Sequence, residues 1–430
     1  MKLSVIGAGL AGCEAAFAAA ERGISVTLYE MKPQRFSPAH TSSLFAELVC
    51  SNSLKAARLD SAAGLLKAEM RSLGSVCLRA ADGCTVPAGG ALAVDRQRFS
   101  EAVTEAVRKH PNITVVEQEI TDIPEGTVIV ATGPLTDGAL AESIAALCGT
   151  EYLRFYDAAA PIVSAESVDM QKAFAASRYD KGEADYINCP FNKEEYERFH
   201  AALVAAETAP LHGFDHAPKV YEGCMPIEVL AKRGTDAIRF GPMKPVGLRD
   251  PRTGHRPWAV VQLRKENTEA TMYNLVGFQT NLKFGEQKRV FSMIPGLEKA
   301  EFLRYGVMHR NSFLNSPALL NPILSLKKEP RIYFAGQITG MEGYMESAAA
   351  GLVAGINAAN ALLGQQEFMP PETTMIGALC RYVAQSTAKD FQPMGANFGI
   401  LPGLDTKIKD KRARYMALAQ RAMQFYEMRG

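Results

Sequence analysis

No two of the eight cysteines in this 430-residue chain stand at C-x-x-C spacing, so neither a zinc ribbon nor a dithiol redox motif can be written from them. Cys13, Cys50, Cys77, Cys84, Cys148, Cys189, Cys224 and Cys380 are scattered, and a chain of this length needs no disulfide framework. An excess of one charge is also missing. The 47 Lys and Arg against 46 Asp and Glu leave a formal net charge of +1, so any basic surface must come from uneven distribution. No run reaches the roughly 18 apolar residues that a membrane span needs. The small-apolar opening from Met1 to Ala20 resembles a secretory leader only until three glycines and Glu14 interrupt it. His212 and His216 have the spacing of a helical metal pair, but Pro210, Gly213 and Pro218 break the helix, and no metal is expected. These absences lead to the expectation of a cytoplasmic chain with reduced thiols. Its 47% of hydrophobic residues can bury a large core.

What is present begins at the N-terminus. Leu3–Ile6 reads as a buried strand, residues 10–22 as an alanine-rich helix ended by Gly23, and Ser25–Tyr29 as a second strand. Between the first strand and the helix stands Gly7-Ala8-Gly9-Leu10-Ala11-Gly12, a G-x-G-x-x-G turn. The first glycine permits the turn, the second lets backbone approach a pyrophosphate, and the third allows close helix–strand packing. The phosphates then meet the free N–H groups of a helix N-terminus. Glu30 ends the second strand, where a carboxylate accepts from a ribose diol and would repel a 2′-phosphate. Two later segments favour FAD over NAD. Val128 to Gly133 is a strand followed by Ala131-Thr132-Gly133, and Arg331 to Gln337 is a late strand ending in Gly336-Gln337. The helix after Glu342-Gly343 is placed to aim its N-terminus at a flavin pyrimidine.

The expected fold class is α/β, a Rossmann-like FAD-binding domain with an inserted α+β domain. Residues 1–148 form the first part of the FAD-binding domain and 149–305 the insertion, with strand-like runs at Arg239–Phe240, Ala259–Leu263 and Tyr273–Val276. Residues 306–430 complete the FAD-binding domain and close on a basic helix from about Ile408 to Met428. Residues 31–75 read as mostly loop and short helix.

Cys13, Cys77 and Cys148 lie in apolar runs, as buried structural cysteines do. Cys50 lies in a polar loop, and Cys224 in a turn bounded by Gly223 and Pro226, where a thiolate is reachable. Residues 230–290 carry twelve Lys and Arg against five Asp and Glu, and the segment from Asp405 to Gly430 carries seven against three. Both local excesses suit phosphate binding.

Together these segments resemble the folate- and FAD-dependent tRNA (uracil-5-)-methyltransferase family, itself related to the glucose-inhibited-division flavoproteins. The resemblance covers essentially the whole chain. It runs through Pro38-Ala39-His40-Thr41, Phe45 to Ser53, Tyr221 to Glu228, Arg239 to Leu248, Val276 to Thr280, Met308 to Asn311 and Phe334 to Ser347. It implies methylation of uracil C5 in the tRNA T loop, with methylenetetrahydrofolate as carbon donor, reduced FAD as hydride donor and NADH or NADPH as reductant. A thiolate adds to uracil C6 so that C5 becomes nucleophilic, and a second group removes the C5 proton. On this resemblance Cys224 is the nucleophile and Cys50 the acid/base partner, and the two roles are exchangeable. His309 and Tyr344 are candidates for the wall that holds the folate. Lys407, Lys409, Lys411, Arg412 and Arg414 are candidates for tRNA phosphates. Neither a membrane nor a protein partner is implied. The alternatives are the same chemistry on large-subunit ribosomal RNA, a wobble-uridine-modifying FAD protein, or a non-catalytic FAD-containing RNA-binding protein.

Overall fold

The opening strand Lys2–Ile6 lies inside a six-stranded sheet, flanked by Ser25–Glu30 and Thr127–Val130, both parallel to it. Ile113–Glu117 extends one side. Glu329–Phe334 joins the other in parallel and carries the short antiparallel edge Ser325–Leu326. Val5, Val26, Leu28, Val128, Ile129, Ile332 and Phe334 are fully buried, as expected for parallel strands covered on both faces. One cover is the helix Leu10–Ala20, buried along its whole length because every residue but Glu14 is apolar or glycine, and Glu14 is satisfied by the N–H groups of Val76 and Cys77. The long helix Tyr344–Leu363 lies directly against it. A Cβ added at Gly351 would stand 2.0 Å from the Ala11 carbonyl oxygen, and one at Gly355 would stand 2.4 Å from that of Ala15. These two glycines therefore set the distance between the helices.

Between the strands Thr127–Val130 and Glu329–Phe334 the chain leaves the first sheet and builds a second. This computed structural model describes residues 1–149, 152–180, 183–209, 225–387 and 391–428, with backbone alone for 152–158, 180, 309 and 310. The second sheet is antiparallel, in the order Phe174–Ala175, Tyr186–Phe191, Ala259–Lys265, Met272–Leu275, Ile162–Ser164, Phe302–Arg304. Strict alternation divides its faces. Ile187, Cys189, Val261, Leu263 and Leu275 pack against Phe199 and Leu203 of the helix Lys193–Ala205 and against Phe291. Tyr186, Asn188, Gln262, Arg264 and Asn274 occupy the opposite, polar face. A ribbon of Tyr152–Ala158 with Met308–Leu314 leads into and out of this unit.

Three expectations change. Arg239–Phe240 is not a strand but part of a run of turns, because Gly234, Gly241 and Pro242 punctuate the segment. The Met243 N–H bonds the Ile238 carbonyl, and the Arg239 guanidinium lies 3.9 Å from the Trp258 ring centroid. Residues 31–75 also hold a strand, Ser53–Ala56, paired with Ala91–Val94, too short for any periodicity to show. The C-terminal helix starts at Lys411, where the Asp410 carboxylate accepts the Ala413 N–H at 2.7 Å, so Lys407 and Lys409 precede it. Among the described residues no helix is long and apolar enough to cross a membrane.

Candidate functional site

The glycine turn, the ends of the parallel strands and the start of the long helix enclose a cleft with about 1270 Å³ of empty space, open to solvent. Its walls include Gly7, Gly9, Leu10, Ala11, Glu30, Thr132, Gly133, Gly336 and Gln337. The three glycines of the turn behave differently. A Cβ on Gly7, whose φ is +97°, would come within 2.7 Å of the Ala131 carbonyl oxygen, and one on Gly12 within 1.7 Å of the Gly7 carbonyl oxygen. A Cβ on Gly9 would meet nothing within 4 Å. Gly7 and Gly12 are thus demanded by the protein's own packing, while Gly9 keeps the cleft open. Gly9 also caps the helix without a side-chain bond, which leaves the N–H groups of the first turn facing the cleft. This arrangement of backbone donors and a helix dipole can cradle a pyrophosphate.

Glu30 is buried and accepts the Ala8 N–H at 2.7 Å on one oxygen and the Lys32 N–H at 3.0 Å on the other. Each oxygen retains a further lone pair for a ribose hydroxyl. Four of the predicted cofactor residues do not line the cleft and support those that do. Ala8 holds Glu30, and Gly12 seats the helix. Glu342 accepts the Gln337 side-chain amide at 2.6 Å, and Gly343, at φ +123°, starts the long helix where any side chain would strike Glu346. The Thr136 hydroxyl contacts the Thr132 hydroxyl oxygen at 2.6 Å and fixes the Thr132–Gly133 turn.

Residues 37–49 fold along the same cleft. The Lys32 ammonium donates to the carbonyls of Ser42 and Leu44, and Glu47 accepts the N–H groups of Thr41 and Ser42. Burial, then the charge of Lys32, holds the His40 imidazole below its ordinary range. Sequence reasoning singled out neither Lys32 nor Glu47. The family-like string around His40 was the available signal.

This loop delivers Cys50 to Tyr344. The Tyr344 hydroxyl oxygen accepts the N–H groups of Cys50 at 2.7 Å and Ser51 at 3.1 Å, and lies 2.9 Å from the Cys50 sulfur. With its oxygen already accepting twice, the hydroxyl proton is directed to the sulfur. Burial, then the neighbouring sulfur, pushes the Tyr344 phenol well above its usual range, so it remains a donor. Burial likewise raises the thiols of Cys77 and of Cys148, the latter to about 11, as suits structural cysteines. Arg96 and Arg264 hold the Cys50 loop to the second sheet. Arg96 bonds the Leu48 carbonyl and pairs with buried Glu266. Arg264 donates to Asn52 at 2.9 Å and to Ser51 at 2.7 Å. The loop therefore sits at the seam of the two sheets, with the cleft on one side.

Cys224 and its turn, and His212 and His216, lie outside the described residues, as does the His309 side chain, whose backbone pairs with Asp157. The basic C-terminal residues separate into two kinds. Lys407 and Lys409 are exposed ahead of the helix. Lys411 and Arg414 stand over the Tyr415 ring at 5.5 and 5.7 Å, and Arg412 reaches the buried Asp60 carboxylate at 2.7 Å.

The family described as glucose inhibited division protein A matches residues 2–366. A protein of Halalkalibacterium halodurans named methylenetetrahydrofolate–tRNA-(uracil-5-)-methyltransferase TrmFO is 60% identical over 98% of this chain and 97% of its own length. A protein of the same name from Acetivibrio thermocellus is likewise 60% identical over 98% of this chain and 97% of its own. One from Heliobacterium modesticaldum is 59% identical over 99% and 97%. Among solved structures, Aquifex aeolicus GidA in its form I crystal superposes with a TM-score of 0.69 at 16% identity, covering 99% of this chain and 77% of that one. That likeness speaks for the fold alone.

Proposed function

Since the chain belongs to the glucose inhibited division protein A family, in its methylenetetrahydrofolate–tRNA-(uracil-5-)-methyltransferase branch, we infer that it methylates C5 of the T-loop uridine of tRNA. The observation that carries this reading is the placement of Tyr344. It lines the same cleft as the glycine cradle, and its hydroxyl holds Cys50. A thiol reachable by a pyrimidine thus stands beside a dinucleotide site. The enzyme oxidises a reduced flavin, so FAD is the bound cofactor, and methylenetetrahydrofolate and NADH or NADPH are co-substrates.

Gly9, Leu10 and Ala11 hold the FAD pyrophosphate, Glu30 the adenosine ribose, and Thr132, Gly133, Gly336 and Gln337 the flavin half. When bound and reduced, FAD supplies the hydride that completes the methyl group. The rest of the chemistry belongs to the chain. Cys224 adds as thiolate to C6 of the uridine, and the C5=C6 electron pair moves toward C4 and its oxygen, which makes C5 nucleophilic. Cys50, held by Tyr344, exchanges the C5 proton. His309 and the Tyr344 ring flank the folate. Residues 149–305 and the basic end of the chain at Lys407 and Lys409 hold the RNA. The target base leaves its stack to reach the sulfur, as enzymes acting on bases require.

A T-loop minihelix carrying 5-fluorouridine tests the reading, because fluorine at C5 cannot leave as a proton and the adduct is trapped. Wild type and Cys50→Ala form a denaturation-resistant adduct, and Cys224→Ala does not. The reverse pattern exchanges the two cysteines, and no adduct in any of them refutes covalent catalysis. Mapping 5-methyluridine in tRNA and ribosomal RNA of a deletion strain separates the two substrates.

A further inference from the structure

The polar face of the second sheet carries a row that no sequence spacing displays. Tyr186 pairs with Arg264, Arg264 with Asn274, Asn274 with Ile162, and, past a bulge that shifts the register after Phe302, Ile162 with Arg304. Residues directly opposite in antiparallel strands share a face, so this row crosses five strands on the side that receives the Cys50 loop. Arg264 and Asn274 are buried, at 7% and 3% exposure. The Asn274 amide nitrogen and two guanidinium nitrogens of Arg304, Nε and Nη2, are shielded from solvent and have no partner among the described residues. All three are donors. Arg304 lies within electrostatic reach of Cys50, Tyr344, Arg96 and Glu266. Burial, then the charge of Arg96, holds its guanidinium below the ordinary arginine range. Arg96 is paired with Glu266, and Arg264 is held by the neutral oxygens of Asn52 and Ser51. The site therefore presents positive charge and unused donors to whatever lies against Cys50. Buried donors left unmatched are costly, and their clustering beside a reactive group marks where an acceptor belongs.

On the reading above, we propose that Arg304 and Asn274 bind the C4 carbonyl oxygen of the target uracil and stabilise the negative charge it takes up when a thiolate adds to C6. In that step the sulfur–C6 bond forms, the C5=C6 pair becomes a C4=C5 bond, and the C4–oxygen π pair comes to rest on the oxygen. No further reactant is needed. Donors aimed at this oxygen act more strongly on the adduct than on the neutral base, so they raise the rate rather than the affinity. A backbone phosphate or a folate carboxylate carries the same charge before and after addition, and its loss would appear in KM.

The test is a cycle of protein and RNA changes. Single-turnover methyl transfer is measured with flavin reduced beforehand, on T-loop minihelices with uridine or 4-thiouridine at the target, for wild type, Arg304→Gln and Arg304→Lys. Removing one such donor typically costs on the order of 10² to 10³ in rate. Arg304→Gln is expected to lose that much on uridine RNA. On 4-thiouridine RNA, where sulfur is a weak acceptor, it should lose no more than about threefold beyond wild type. Arg304→Lys should keep the charge, lose the fork and fall between. Equal losses on both RNAs, or a change confined to the KM of RNA or of methylenetetrahydrofolate, overturn the assignment. Bound FAD and the unfolding midpoint report folding, and if Arg304→Gln does not fold, Asn274→Leu runs the same cycle. A wild type that makes no 5-methyluridine overturns the underlying function and this assignment together. Wild-type activity with the wrong split overturns this assignment alone.

Discussion

Replacing Gly9 and Gly12 in turn by alanine should separate what the coenzyme requires from what the fold requires. At Gly12 the new methyl carbon would stand 1.7 Å from the Gly7 carbonyl oxygen, in a fully buried helix that cannot move away. Overpacking of this kind costs about 3 kcal/mol or more. Gly12→Ala should therefore unfold at a markedly lower midpoint, with or without FAD. At Gly9 the methyl meets nothing within 4 Å, and φ is −73°, which any residue adopts. The apoprotein should lose only the difference between glycine and alanine at a helix N-cap, about 1 kcal/mol. The methyl nonetheless occupies the mouth of the cradle. If it displaces one charge-assisted hydrogen bond from a phosphate, binding weakens by about 1.5–3 kcal/mol. That is roughly a 10- to 150-fold rise in the Kd for FAD. Titration of apoprotein followed by flavin fluorescence measures the second effect, and thermal unfolding followed by circular dichroism measures the first. A Gly9→Ala protein that binds FAD as wild type does, or that loses as much stability as Gly12→Ala, would refute the reasoning.

Three other expectations concern the C-terminal segment and the residues packed against it. Glu69 is buried, accepts the N–H groups of Met375 and Ile376 at 2.7 and 2.8 Å and faces the Tyr426 hydroxyl, and burial pushes its carboxyl up to about 7. With the folded value above the unfolded one, near 4.5, the native state holds a proton that the unfolded chain has released. This contribution to stability is therefore complete below pH 4.5, falls as pH rises to 7 and is gone above it, a span of about 3 kcal/mol. Glu69→Gln should flatten the urea midpoint across pH 5–7 relative to wild type, and an unchanged slope would refute the assignment. Lys407→Ala and Lys409→Ala should each lower the salt dependence of tRNA binding by about one unit of log–log slope. Arg412→Ala should leave that slope alone and lower the unfolding midpoint, because its partner is the buried Asp60.

The legible parts of the sequence were those whose demands are local. Gly7, Gly12 and Glu30 could be read because a positive φ, a close approach and a strand-end carboxylate each leave a mark within a few residues. The same logic found the parallel strand Glu329–Phe334 and the long helix behind it. Arg239–Phe240 misled because the β-favouring Ile238 and Phe240 around Arg239 are outweighed by Gly234, Gly241 and Pro242 and by the stacking of Arg239 on Trp258. The row from Tyr186 to Arg304 was invisible because strand register, not spacing, brings it together. Tyr344 could be singled out because it lies in the family-like string from Phe334 to Ser347. Its hydroxyl's hold on Cys50 could not, since the two meet only when the long helix docks.

The contact of Gly351 with Ala11 has a consequence for biosynthesis. The first strand and its glycine turn leave the ribosome long before the helix that presses on them. Until Glu329–Phe334 arrives, the strand Thr127–Val130 presents one bare edge, a template for wrong pairing that the nascent chain must carry while its entire middle is made. A polypeptide halted inside the second sheet therefore has the glycine turn but lacks the long helix that packs behind it.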